Sequence, residues 1–143
     1  MIDKKFLATL KAQYQKHNGE RRQIINLSNL ILAEAKKAIF ALHRDELGAG
    51  LKKIEDVENG FAGLKKKFGD NRVNEEGAYR AALEEYAEAK LLSQLMAGKK
   101  IGKIAAVNVG LDGYLGGLCD VTGELVRFAT NQAAAGKFSE VKR

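Results

Sequence analysis

Glu85 and Glu88 stand three residues apart in a stretch of helical pattern, which places both carboxylates on one helix face. Asp120 and Glu124 stand four apart in a later stretch, again on one face, with Arg127 three residues beyond Glu124. An E-x-x-E pair and a D-x-x-x-E pair on neighbouring helices give four carboxylates able to converge. An oxygen-only cluster of this kind suits Mg²⁺ or Mn²⁺. It does not suit a di-iron centre, which needs a Glu-x-x-His on each of two helices. Tyr14 and Phe40, not glutamates, stand three residues before His17 and His43.

The two glutamates lie in a line with apolar residues. Ala81, Glu85, Glu88, Leu92 and Leu95 step by four, three, four and three. Ionised groups on a buried seam are costly unless they are paired or bound to a cation. A rotated helix would instead bury Leu83, Tyr86 and Leu91 and leave the glutamates in water. The Asp120 and Glu124 pair has the same alternative, an exposed polar face. Spacing alone leaves both readings open.

Other chemistries are poorly supplied. Gly98-Lys99-Lys100-Ile101-Gly102-Lys103 lacks the hydroxyl residue of a phosphate-binding P-loop. Lys99, Lys100 and Lys103 are candidates for phosphate contacts beside the carboxylates, or else form a solvated basic loop. Cys119 is the only cysteine, which excludes an internal disulfide and any zinc site on paired cysteines. Flanked by Leu118 and Val121, it reads as a small core residue. His17 and His43 read as ordinary surface histidines. The formal charge is +6, with nine basic against five acidic residues among the first 50. Such a surplus, with Arg21 and Arg22 in it, fits a polyanionic partner held through phosphates.

The elements that must position these groups are helices. The 143 residues contain no proline and no tryptophan, and only 7% are aromatic, which excludes an all-β fold. Ile24, Leu27, Ile31, Ala35, Ala38 and Leu42 form an apolar stripe, widened by Ile25, Leu32 and Ile39. They predict one very long helix from Asp3 to His43, or two in line broken at Asn18-Gly19. A second helix spans 47–68, with Leu47, Leu51, Ile54, Val57, Phe61, Leu64 and Phe68 on its seam. Asn74 is the predicted N-cap of a third helix, which carries Glu75 and Glu76 in its first turn and runs to Met96. A glycine-bearing loop leads to a fourth helix over 111–135, with Leu111, Leu115, Leu118, Thr122, Leu125 and Ala129 on one face. Phe138 to Arg143 begins a further element. Residues 1–143 therefore read as a single all-α antiparallel bundle. No apolar run is long enough to span a membrane, and the expected compartment is the cytoplasm.

Glu84-Glu85-Tyr86-Ala87-Glu88-Ala89, followed by the string from Tyr114 to Arg127, resembles the translin family. The most specific part is Tyr114-Leu115 with Gly117, Asp120, Thr122, Gly123 and Glu124. The pattern is closer to the translin-associated factor X (Trax) branch and its archaeal relatives. The resemblance covers roughly 21–138 and implies a helical bundle that assembles into hollow octamers and binds single-stranded RNA or DNA. For the Trax branch it implies a metal-dependent endoribonuclease, with carboxylates matching Glu85, Glu88 and Asp120 on the Mg²⁺ or Mn²⁺ and Glu124 close by. The translin branch lacks the aspartate at position 120 and binds nucleic acid without that site. The resemblance also implies two further helices in family members, so a bundle shortened at its C-terminal end is the expectation here. Arg21, Arg22, Lys99, Lys100, Lys103 and Arg127 are the expected strand-binding residues. Two alternatives stand beside the nuclease: a non-catalytic strand-binding subunit of translin type, and an all-α nucleotide pyrophosphohydrolase.

Overall fold

In the computed structural model, residues 3–141 are described, apart from the side chain of Glu140. Among them every regular element is a helix: α1 (Lys4–His43), α2 (Leu47–Phe68), α3 (Asp70–Asn74), α4 (Gly77–Met96), α5 (Gly110–Ala134) and α6 (Phe138–Val141). The predicted all-α bundle is what forms. The last two residues of the predicted terminal element lie outside the described residues.

Helix α1 is a single unbroken rod of 40 residues, about 60 Å long at the usual rise. Asp3 caps it by accepting a hydrogen bond from the Lys5 amide at 2.8 Å. No proline interrupts it, and Gly19 is simply carried inside it. Residues 3–17 are exposed throughout, and the buried stripe begins at Ile24. From there it passes through Ser28, Ile31, Ala35, Ala38 and Leu42. Ser28, not the predicted Leu27, takes the intervening position; Leu27 is exposed.

Asp45, with φ of 62°, turns the chain so that α2 folds back along α1. The α2 seam is Gly50, Ile54, Val57, Phe61 and Leu64, with Phe68 half-buried at its end. Leu51 is exposed, contrary to the sequence reading. Gly50 occupies the seam instead, because α1 comes so close there that a Cβ would lie 2.8 Å from Leu42 Cδ2.

Asn74 ends the short α3 rather than capping α4 as the sequence predicts. Glu76 precedes α4, and its carboxylate accepts from Arg72 at 2.8 Å while Arg21 approaches to 3.4 Å. Arg72 also reaches Glu20 and the His17 carbonyl, so one guanidinium ties α3 to α1. Helix α4 then runs through the middle of the bundle, packed on α1, α2 and α5. It is buried on most sides: Leu83, Tyr86, Leu91 and Leu92 are core, and so is Glu88. Phe61 meets Tyr79 and Tyr86 edge-on, with ring centroids 5.4 and 5.7 Å away. The Tyr86 hydroxyl donates to Glu58 at 2.7 Å, and Lys90 donates to the same oxygen at 2.8 Å.

The fourth long helix faces the bundle differently from the sequence reading. Leu111, Leu115 and Leu125 of α5 are exposed, and its core positions are Gly117 and Val121. A Cβ on Gly117 would sit 2.7 Å from both the Ala87 methyl and the Glu88 backbone nitrogen. Glycine is therefore what lets α5 lie directly on the turn of α4 that carries Glu88. Gly117→Ala is expected to push the two helices apart and lower stability by about 1–3 kcal/mol in chemical denaturation. Gly123→Ala, with open space at its Cβ, should not destabilise.

Candidate metal centre

Helices α1, α4 and α5 enclose a cleft of about 340 Å³ lined by Lys36, Ile39, Phe40, Glu85, Glu88, Glu124 and Arg127. The E-x-x-E spacing on α4 brings Glu85 and Glu88 to it one turn apart. The close approach at Gly117 brings α5 within reach, so that Glu124 faces them. Three of the four predicted carboxylates thus share one cavity. Asp120 does not line it and is exposed. Its charge still acts there: Asp120 is among the groups that disfavour ionisation of Glu85 and Glu88.

Glu88 is only 7% exposed, and its carboxyl is pushed up to about 7. Burial is the main cause, followed by the charges of Glu85, Glu124 and Asp120, with Lys36 opposing. Glu85 is also raised, again chiefly by burial, and held back by Lys36, whose Nζ lies 3.9 Å from it. Glu124 is held from two sides. Arg127 reaches its Oε1 at 3.2 Å, and His43 Nε2 is bonded to its Oε2.

His43 is the residue that the sequence reading placed wrongly. Its side chain is buried at the end of α1, and its Nδ1 has no partner. A signal was present: His43 lies four residues after Ile39, on the apolar stripe rather than off it. Lys36 and Phe40, on the same side of α1, were likewise not picked out. Cys119 is exposed rather than in the core.

The basic residues divide. Arg127 belongs to the carboxylate cleft. Arg21 is engaged by Glu76, while Arg22 is exposed. Lys99, Lys100 and Lys103 are exposed on the loop after α4 and do not line the carboxylate cleft. Lys99 lines a different cavity. That loop is pinned by Gly102, whose amide donates to Gln94 and whose carbonyl accepts from Tyr114.

As donors, three glutamates, an aspartate and a nearby imidazole fit a hard divalent cation. The raised carboxyl of Glu88 fits it too, since like charges crowded in a semi-buried cleft are what a cation relieves. Among the described residues, no three acidic, histidine or cysteine side chains stand close enough to form a coordination shell as placed. Glu85 and Glu124 are instead paired with cations and an imidazole, Lys36 beside the first and His43 and Arg127 beside the second.

A three-helix carboxylate cleft in an all-α bundle defines the class of protein. Residues 19–143 match the Translin family, and the chain belongs to it. It is 26% identical to the translin-associated protein X homolog of Schizosaccharomyces pombe, over 96% of this chain and 65% of that protein. The chain thus spans about 65% of the length of that curated relative. A solved structure described as apo-NeC3PO superposes with a TM-score of 0.79 at 23% identity, covering 95% of this chain and 72% of that one. That likeness bears out the helical fold. No described helix is long and apolar enough to cross a membrane.

Proposed function

We propose that the protein is a metal-dependent endoribonuclease of the Trax type acting on single-stranded RNA. The observation that carries this reading is Glu88, raised to about 7 inside a cleft shared with Glu85 and Glu124. In this reading Glu85, Glu88 and Asp120 hold Mg²⁺ or Mn²⁺, and Glu124 is a fourth ligand or orients the attacking water. When bound, the cation supplies Lewis-acid stabilisation of charge developing on the phosphodiester. Arg127, at the mouth of the same cleft, neutralises the scissile phosphate. His43 holds Glu124 in position, as outer partners of ligating carboxylates do. Lysines and arginines on the surface supply strand affinity, which should tolerate sequence, extend to DNA, and fall with salt.

The protein acts as a homo-oligomer in this proposal, an octamer by family resemblance. Phe40, Leu111, Leu115 and Val126 are large apolar side chains between 48 and 73% exposed, which a partner copy would cover. Light scattering at micromolar concentration should report an assembly larger than a monomer.

A second reading has its own support. The exposed Asp120 and the spread carboxylates favour a non-catalytic strand-binding subunit of translin type. A labelled single strand incubated with Mn²⁺, and in parallel with chelator, separates the two. Cleavage with Mn²⁺ alone supports the nuclease; binding without cleavage in both supports the subunit. Release of pyrophosphate from nucleoside triphosphates, with the strand intact, would instead indicate a pyrophosphohydrolase.

A further inference from the structure

Beside the carboxylate cleft, on the other flank of α5, lies a cavity of about 900 Å³. Its volume is in the range of small-ligand sites. Glu124 and Arg127 face the first cleft, whereas Leu125, Phe128 and Gln132 line the second. Glu124 and Phe128 are one helical turn apart, about 6 Å along the axis. The two cavities are therefore neighbours along α5.

Gln132 is the informative residue. It is only 7% exposed, and its Oε1 accepts no hydrogen bond. A buried amide oxygen without a partner is costly, so something absent from the folded chain should satisfy it. Rotation about its last torsion presents either a donor or an acceptor. Leu125 and Phe128 add an apolar wall, and Lys99 and Lys137 add two cations. Asp45 lines the same cavity and is a further acceptor. The fitting occupant has a flat apolar body, a hydrogen-bonding edge and an anionic group. A purely apolar occupant would leave Gln132 as unsatisfied as before.

We propose that this cavity is a nucleotide subsite, in which Phe128 takes the face of a base, Gln132 its hydrogen-bonding edge, and Lys99 and Lys137 a phosphate. The proposal deepens the strand-binding reading and rests on it for its biological setting, while its test does not depend on cleavage. A base seated there would register the strand so that a neighbouring phosphodiester lies over the carboxylates.

The test titrates the full chain, in chelator, with each of the four ribonucleoside monophosphates by calorimetry. A labelled single strand is titrated in parallel. The wild type should bind at least one monophosphate and prefer some bases to others. Phe128→Leu keeps bulk and loses stacking, and should weaken binding roughly tenfold. Gln132→Leu should erase the base preference while leaving the melting temperature unchanged or higher, since it removes an unpaired buried oxygen. Lys137→Glu, at an exposed position, should weaken all four monophosphates alike. The proposal is overturned if the wild type binds the strand but no monophosphate, or if all three variants bind as the wild type does. It is overturned equally if Gln132→Leu alters the oligomeric state with strand affinity intact, which would mean that protein covers the cavity. Monophosphate binding without strand binding would uphold the subsite and sink the strand-binding reading.

Discussion

Glu88→Gln is expected to reduce Mn²⁺-dependent RNA cleavage by on the order of 100-fold or more, with strand affinity within about twofold of wild type. Glutamine has nearly the shape of glutamate, so the α4 seam and the approach of Gly117 are kept. What it removes is a negative charge at the most buried donor of the cleft. A 100-fold loss corresponds to about 2.7 kcal/mol of transition-state stabilisation, a modest demand on a residue proposed to hold the cation. Strand affinity should survive because cations elsewhere carry it; losing a carboxylate can only ease the approach of a phosphate. Asp120→Asn is expected to show the same loss in single-turnover cleavage, although Asp120 does not line the cleft. Wild-type cleavage by both variants would remove the nuclease reading and leave the strand-binding subunit.

How far the sequence revealed this arrangement depended on what each helix buries. On α2 a bulky seam faces one neighbour across ordinary side-chain distances, and its heptad read correctly except at Leu51. The error there has a physical cause: Gly50 holds the seam position by having no side chain, and a missing side chain gives no hydrophobic signal. The same effect, larger, misled the reading of α5. Its inner face is written in Gly117 and Val121 because it must lie close to α4, so Leu111, Leu115 and Leu125 point away while Leu118 packs half-buried against the core. On α4 the two alternatives proved not to exclude each other. A helix packed on three neighbours buries Leu83, Tyr86 and Leu91 together with Glu88, and periodicity cannot choose a single face for it. The Glu85 and Glu88 spacing, by contrast, was legible, because helical geometry alone fixes which side chains share a turn; the spacing of Asp120 and Glu124 brought only Glu124 to the cleft. His43 escaped because histidine at a helix end is usually solvated, whereas here α5 lays Glu124 against it.

The cleft should also give the folded protein an unusual pH dependence. The Glu88 carboxyl moves from its ordinary 4.5 to about 7 on folding, so between those values the folded state holds a proton that the unfolded chain has lost. Stability contributed by this group is fully present below about 4.5, falls as pH rises, and is gone above about 7. The shift corresponds to about 3 kcal/mol at pH 8, and Glu85 adds to it in the same direction. Besides burial, the groups that set its size are Glu85 on α4 and Glu124 and Asp120 on α5, with Lys36 on α1 opposing them. Glu88→Gln has no ionisation to penalise. Its melting temperature should match wild type near pH 4.5 and exceed it at pH 8 by on the order of 10 °C. Adding Mn²⁺ at pH 8 should raise the wild type in proportion to ln(1 + [Mn²⁺]/Kd), and raise the variant much less. The two curves would then converge, because a cation and a neutral glutamine relieve the same crowding of charge. A difference between wild type and variant that stays flat from pH 4.5 to 8 would mean that Glu88 ionises freely. In that case the carboxylates are solvated, and no cation is needed to hold them together.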